Sequence, residues 1–291
     1  MSGTGWILLT ASLVGLSCGM VGVFLILRRM AMMADAISHT VLLGIVIAYI
    51  VTRELSGVHM LVGAMAAGLL TTLLVQWFRS LGVQQDAAVG IVFTSLFAVG
   101  VILIATSVGN AHLDVQHALM GEITFVPWDT MQVLLIGEIP KATFLLLVVF
   151  AIVLMAILAF YKEWKITSFD PGLAASIGIP VALMHDLFMS LVSITTVASF
   201  DAVGAIMVVA MLITPAASAY LWTDRLSVML ALSGTFGVLS AVIGYFLAVW
   251  LDTSISGSMA FASGLTFLFS FLVSPRHGLL ARFLRPNEAS Q

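Results

Sequence analysis

The stretch from Trp6 to Leu27 contains no charged side chain, and stretches of the same kind recur along the rest of the sequence. A helix needs about 20 predominantly apolar residues to cross the hydrocarbon core of a bilayer. Runs of that length are Trp6 to Leu27, Met30 to Thr52, Val58 to Phe78, Ala87 to Val108, Ala142 to Tyr161, Pro180 to Ser199, Ala202 to Trp222, Leu226 to Leu251 and Thr253 to Ser274. Nine spans are expected, with the weakest boundary at Ser199-Phe200-Asp201; reading those residues as an interruption within one helix reduces the count to eight. Hydrophobic residues make up 61% of the chain and charged residues 9%, against about 25% charged in a soluble domain. The predicted fold class is therefore all-α, a polytopic transmembrane helical protein with a single membrane domain over residues 1–291.

Short cytoplasmic loops collect Lys and Arg. With nine spans and the N-terminus outside, Arg28, Arg29, Arg79, Lys162, Lys165, Arg225, Arg276, Arg282 and Arg285 fall on the cytoplasmic side, and only Arg53 and Lys141 fall outside. The C-terminus is then cytoplasmic. No basic residue precedes the first run and Arg28-Arg29 follows it, which is the pattern of a retained helix and not of a cleaved signal peptide. The outer face holds Glu54, Asp114, Glu122, Asp129, Glu138 and Asp252, an acidic vestibule that would concentrate cations, although each acid alone could merely solvate a loop. The outer segment at about 109–141 is long enough to dock a partner, and its His112, Asp114 and His117 are read as solvated loop residues. A net charge of −3, thinly spread, argues against nucleic acid as a partner. The single Cys18 excludes both a disulfide framework and a thiolate metal cluster.

Asp35 and His39 lie inside the second run, where an ionisable side chain costs on the order of 3 kcal/mol and persists mainly beside a partner or a wet path. Their i, i+4 spacing places both on one helical face, about one turn apart. A carboxylate and an imidazole so placed form half of a coordination shell for Mn, Fe(II) or Zn, and two copies of the chain across a two-fold axis would supply an N2O2 set. An Asp–His hydrogen bond that only satisfies two polar groups fits the same spacing.

The connection from Lys162 to Pro180 carries Asp170-Pro171, a helix N-cap and first helical position, and then Gly178, a stop. It predicts a short helix outside the bilayer whose small residues Gly172, Ala174, Ala175, Ser176 and Gly178 fit either a shallow cleft on another protein or a plain surface connection. The sequence contains no phosphate-cradling G-x-x-x-x-G-K-[ST] motif, so the chain is read as a transport subunit and not an enzyme, driven by a separate subunit or by an ion gradient. In the gradient-driven alternative, Asp35, Asp186 and Asp201 form a relay. Met20, Met30, Met32, Met33, Met60 and Met65 follow no steady spacing, which favours packing over a copper path.

The segment from Leu27 to His39, reading LRRMAMMADAISH, resembles the signature of the metal-type ABC permeases, the membrane subunits of bacterial manganese, zinc and iron importers. Asp86 to Phe93, Thr167 to Asp170, Ala202 to Ala217 and Ser274 to Leu280 are similar to the same family in the same order, most like its manganese permeases. The resemblance implies a type II ABC importer-like permease in a bacterial plasma membrane. It further implies a dimer with a second permease copy, like or unlike, two cytoplasmic ATPase subunits that bind the ATP, and an extracytoplasmic metal-binding protein. No tightly bound cofactor is implied; the cargo is Mn2+, with Zn2+ or Fe2+ as alternatives. Asp35 and His39 match the family's metal-coordinating gate. Ser168, Phe169 and Asp170, with Pro171, Gly172, Ala175 and Gly178 after them, match its ATPase-coupling helix at about 162–180. The chain departs from the family pattern at Ala34, where glycine is usual, and at Leu43, where proline often precedes Gly44, so no proline enforces a kink in the second span.

Overall fold

A computed structural model describes residues 3–52, 58–107, 123–133, 137–275 and 278–279. Among the described residues, nine helices are long and apolar enough to cross a membrane: α1 (Gly3–Leu27), α2 (Ala31–Thr52), α3 (Val58–Ser80), α4 (Gln85–Ser107), α5 (Lys141–Ala159), α8 (Val181–Val203), α9 (Ala205–Trp222), α10 (Leu226–Leu251) and α11 (Ile255–Val273). Two short helices, α6 (Tyr161–Phe169) and α7 (Pro171–Ser176), join α5 to α8.

The uniformly apolar α1 has no polar stripe to present to water, and it occupies the centre of the bundle, packed against α5, α8, α9 and α10. Small residues set these approaches. A Cβ at Gly15 would lie 2.6 Å from the backbone of Gly237 on α10, and the Ser233 hydroxyl donates to the Gly19 carbonyl at 2.7 Å. Lipid offers no hydrophobic drive between helices, so close backbone contact and interhelical hydrogen bonds take that role. Thr71 Oγ1 donates to Thr40 Oγ1 at 2.7 Å between α3 and α2, and Thr10 and Thr143 pair at 2.7 Å between α1 and α5. Helix α2 packs on α3 and α4, at the side of the bundle. It runs without interruption from Ala31 to Thr52, as the absence of proline before Gly44 predicts.

The break expected at Ser199-Phe200-Asp201 is displaced. Helix α8 continues to Val203, with Ser199 and Phe200 buried and Ser199 Oγ 3.5 Å from Cys18 Sγ. The chain turns instead at Gly204, with φ 79° and ψ 166°, a region open essentially to glycine alone. Asp201 signalled a loop because it is polar, yet it sits on the exposed side of the last helical turn. With α8 and α9 separate, the eight-span alternative falls. The connection between α4 and α5 also adds a 3₁₀ turn (Ile123–Trp128) and an antiparallel hairpin, β1 (Thr130–Val133) with β2 (Gly137–Pro140), in which Thr130 pairs with Pro140. Its exit is fastened by Lys141 Nζ donating to Asp129 Oδ1 at 2.6 Å. His112, Asp114 and His117 lie outside the described residues.

Candidate metal gate and coupling segment

The Asp35 and His39 side chains project from α2 on one face, with His39 Nε2 3.5 Å from Asp35 Oδ1. That separation is at the long limit of a hydrogen bond. The His39 ring is bounded by two rings of α4, Phe93 at 5.3 Å and Phe97 at 5.8 Å between centroids. The pair is not sealed in the core: His39 is 32% and Asp35 41% exposed, so it opens onto the surface of the single chain beside α4. The residues between them, Ala36, Ile37 and Ser38, are buried, and α2 thus turns one polar edge outward from an otherwise packed helix. Among the described residues, no group of three or more His, Cys, Asp or Glu side chains stands close enough together to hold a metal ion. One chain therefore offers two donors, half of a tetrahedral set.

The proposed relay of Asp35, Asp186 and Asp201 is not assembled. Asp186 and Asp201 stand near opposite ends of α8, about 22 Å apart at 1.5 Å per residue.

The connection after α5 has the caps that its sequence predicts. Asp170 Oδ1 accepts the Leu173 N–H at 2.9 Å, and Pro171 occupies the first helical position. At the other end, Gly178 (φ 86°) donates its N–H to the Ala175 carbonyl at 3.1 Å and Ile179 donates to Ala174 at 3.0 Å, the paired bonds of a Schellman motif. The two caps hold a six-residue helix, too short to persist on propensity alone. Asp170→Ala is accordingly expected to destabilise α7 by about 1 kcal/mol, read as faster amide hydrogen exchange at Leu173 and Ala174 with the transmembrane helices unaffected. Ser168 is bonded inward, as described below, while Phe169, Leu173 and Ile177 are 59%, 52% and 57% exposed and follow at four-residue intervals. Pro171, Gly172, Ala175 and Gly178 are exposed around them.

Arg28 counts in the sequence as a topological charge and as one residue of the Leu27 to His39 segment, but in the fold it is a junction. Its Nε donates to Ser168 Oγ at 3.0 Å and its Nη2 to Thr167 Oγ1 at 3.1 Å, while Cζ lies 4.5 Å from the Phe188 ring centroid. Phe188 belongs to an aromatic cluster with Phe24 and Trp164, and Trp164 Nε1 donates to the Met184 carbonyl at 3.2 Å. Burial pushes the Arg28 guanidinium down to about 10, which still leaves it cationic at neutral pH.

The chain is similar to known proteins along nearly its whole length. Residues 4–274 match the ABC 3 transport family. The chain belongs to that family. A manganese transport system membrane protein, MntD of Bacillus subtilis, is 56% identical over 98% of this chain and 97% of its own length. The zinc transport system membrane protein TroD of Treponema pallidum is 42% identical over 96% of this chain and 76% of its own. Among solved structures, PsaBC from Streptococcus pneumoniae in complex with Fab superposes with a TM-score of 0.81 at 34% identity, covering 97% of this chain and 96% of that one. As an ABC 3 family member the chain is the membrane-spanning permease of an ABC importer and not an enzyme.

Proposed function

We propose that this ABC 3 permease imports a divalent transition metal, manganese in first place and zinc or iron in second, with Asp35 and His39 as the gate. The observation that carries the reading is the half-complete donor pair opening onto the surface of the chain beside α4. A second permease copy, like or unlike, packed against that surface would bring two further donors and close the set, with Phe93 and Phe97 walling the imidazole from lipid. The alternative in which the pair is only a hydrogen bond is weakened by its 3.5 Å separation and its exposure. Manganese is preferred because the MntD relative, at 56% identity, carries that metal in its name; zinc is retained because TroD carries the other. Carboxylate and imidazole donors by themselves serve both.

In this reading the end of the bundle with α6 and α7 is cytoplasmic, and the end with the β1–β2 hairpin is outside, where an extracytoplasmic metal-binding protein delivers the ion. The exposed Phe169, Leu173 and Ile177, set among Pro171, Gly172, Ala175 and Gly178, form the surface that seats in the ATPase. ATP is bound and hydrolysed there, on the partner.

The test is uptake by the permease and its ATPase reconstituted together in vesicles, with Mn2+ and Zn2+ supplied separately and in competition. ATP-dependent Mn2+ entry that excess Zn2+ inhibits only weakly is expected. Preferred Zn2+ entry would transfer the assignment to zinc, and entry without ATP or ATPase under an ion gradient would replace the importer reading altogether.

A further inference from the structure

The residues between α1 and α2 form a closed turn and not a slack linker. The N–H groups of Arg28, Arg29 and Met30 donate to the carbonyls of Phe24, Ile26 and Leu25 at 3.0, 2.9 and 2.8 Å. The last two are again the bond pair of a Schellman motif. Arg29 holds a left-handed φ of 57°, a conformation that a non-glycine residue keeps only where its surroundings impose it. Met30 is 4% exposed, and its carbonyl accepts the Met33 N–H at 3.0 Å in the first turn of α2. No freely rotating residue therefore separates Arg28 from the helix that carries Asp35, which stands one turn farther on. The same turn is tied to α4, the helix of Phe93 and Phe97, by the Gln85 amide reaching the Arg29 carbonyl at 3.4 Å.

Arg28 thus connects three bodies: the Tyr161–Ser176 segment through Thr167 and Ser168, α8 through the face of Phe188, and the α1–α2 turn through its own backbone. A planar guanidinium can donate to two hydroxyls in a fixed fork while its flat face lies on a ring, a rigid geometry that a tetrahedral ammonium on a flexible stem lacks. We propose that Arg28 is the positioning residue through which movement of the Tyr161–Ser176 segment reaches the Asp35 and His39 pair. The inference rests on the gate and coupling roles assigned above. A push on α6 moves Thr167 and Ser168, these draw the guanidinium, and the bonded turn tilts the start of α2 against α4, changing how the two donors face the partner copy.

The test uses the whole complex, permease and ATPase in vesicles, and counts Mn2+ imported against ATP hydrolysed. Hydrogen bonds to a charged group are worth about 1.5–3 kcal/mol, so Arg28→Gln should lower the ions moved per ATP roughly tenfold or more. Hydrolysis and the amount of assembled complex should stay within about twofold. Arg28→Lys should recover part of the ratio. Thr167→Val, which keeps the shape and removes one acceptor, should lower it about threefold, and the double variant should fall no further than Arg28→Gln alone because both act on one link. An unchanged ratio in Arg28→Gln, or independent additive losses in the double variant, overturns the proposal. If Arg28→Gln does not assemble, Thr167→Val decides: an unchanged ratio there rejects the link. His39→Ala, run beside them, separates the two ideas. Normal import by His39→Ala removes the gate whatever Arg28 does, whereas a dead His39→Ala with fully coupled Arg28 variants removes the Arg28 link alone.

Discussion

His39→Ala and Asp35→Ala are each expected to reduce metal accumulation by more than about 100-fold, since even residues that only support a metal ligand cost 10- to 100-fold when lost. Both variants should reach the membrane and bind the ATPase normally. The reason is the exposure of the pair, 32% for His39 and 41% for Asp35, at a separation of 3.5 Å. Truncating either leaves no buried uncompensated charge, and an exposed ion pair contributes at most about 1 kcal/mol to folding. The double variant Asp35→Asn with His39→Gln sharpens the result. It preserves a hydrogen-bonding pair one helical turn apart but removes the carboxylate and the imidazole. A pair that serves only packing would keep transport in that variant, and a pair that ligates metal would lose it. Metal accumulation in cells lacking the native chain, measured together with membrane abundance of each variant, distinguishes the cases; accumulation near the native level in the double variant would falsify the gate.

Gly22→Ala should be the most damaging small substitution in the described helices. A Cβ there would lie 1.7 Å from the Leu212 carbonyl oxygen and 2.8 Å from its carbon, both backbone atoms of α9. No side chain can rotate out of the way, so α1 and α9 must separate, and Ala216, whose Cβ stands 3.2 Å from the same point, must shift with them. Overpacking a tight site commonly costs 1–3 kcal/mol, and a backbone obstacle places this one at about 3 kcal/mol. Since α1 is the centre of the bundle, the loss should appear as a fall of several degrees in Tm in detergent and as lower membrane yield. Gly264→Ala supplies the comparison. It lies on the exposed side of α11 with no atom beyond its own stretch of helix backbone within 4 Å of a new Cβ, so removal of a helical glycine should be neutral or slightly stabilising, by up to about 1 kcal/mol. Equal Tm values for the two variants would show that the α1–α9 approach is not the constraint described.

The spans were legible because charge and hydropathy act locally: Leu226–Leu251 was recovered residue for residue, the ends at Leu27, Thr52, Val58 and Trp222 also coincide, and the remaining ends shifted by a few positions. The caps of α7 were legible for the same reason, since Asp170, Pro171 and Gly178 act on the backbone beside them. The turn at Gly204 was missed because Asp201 looked like a loop residue and glycine is common throughout such helices. The β1–β2 hairpin was missed because its strands are only four residues each, too short for the alternation in Thr130–Val133 to stand out from a loop. At the site, the relation between Asp35 and His39 follows from helix periodicity alone, whereas the walls of Phe93 and Phe97, the outward-facing edge of α2 and the grip of Arg28 on Thr167 and Ser168 do not.

By itself, then, the amino-acid order determined that this chain is a membrane bundle, which residues lie in its helices, and which carboxylate and imidazole share one helical face. Tertiary structure alone decided what those side chains look onto and which residues of α6 the Arg28 side chain holds. The division has a physical origin. Crossing a bilayer and completing a helical turn are settled within a few neighbouring residues. Which faces of separate helices meet depends on the close fit of small residues such as Gly15, Gly19 and Gly22 against partners far away along the chain.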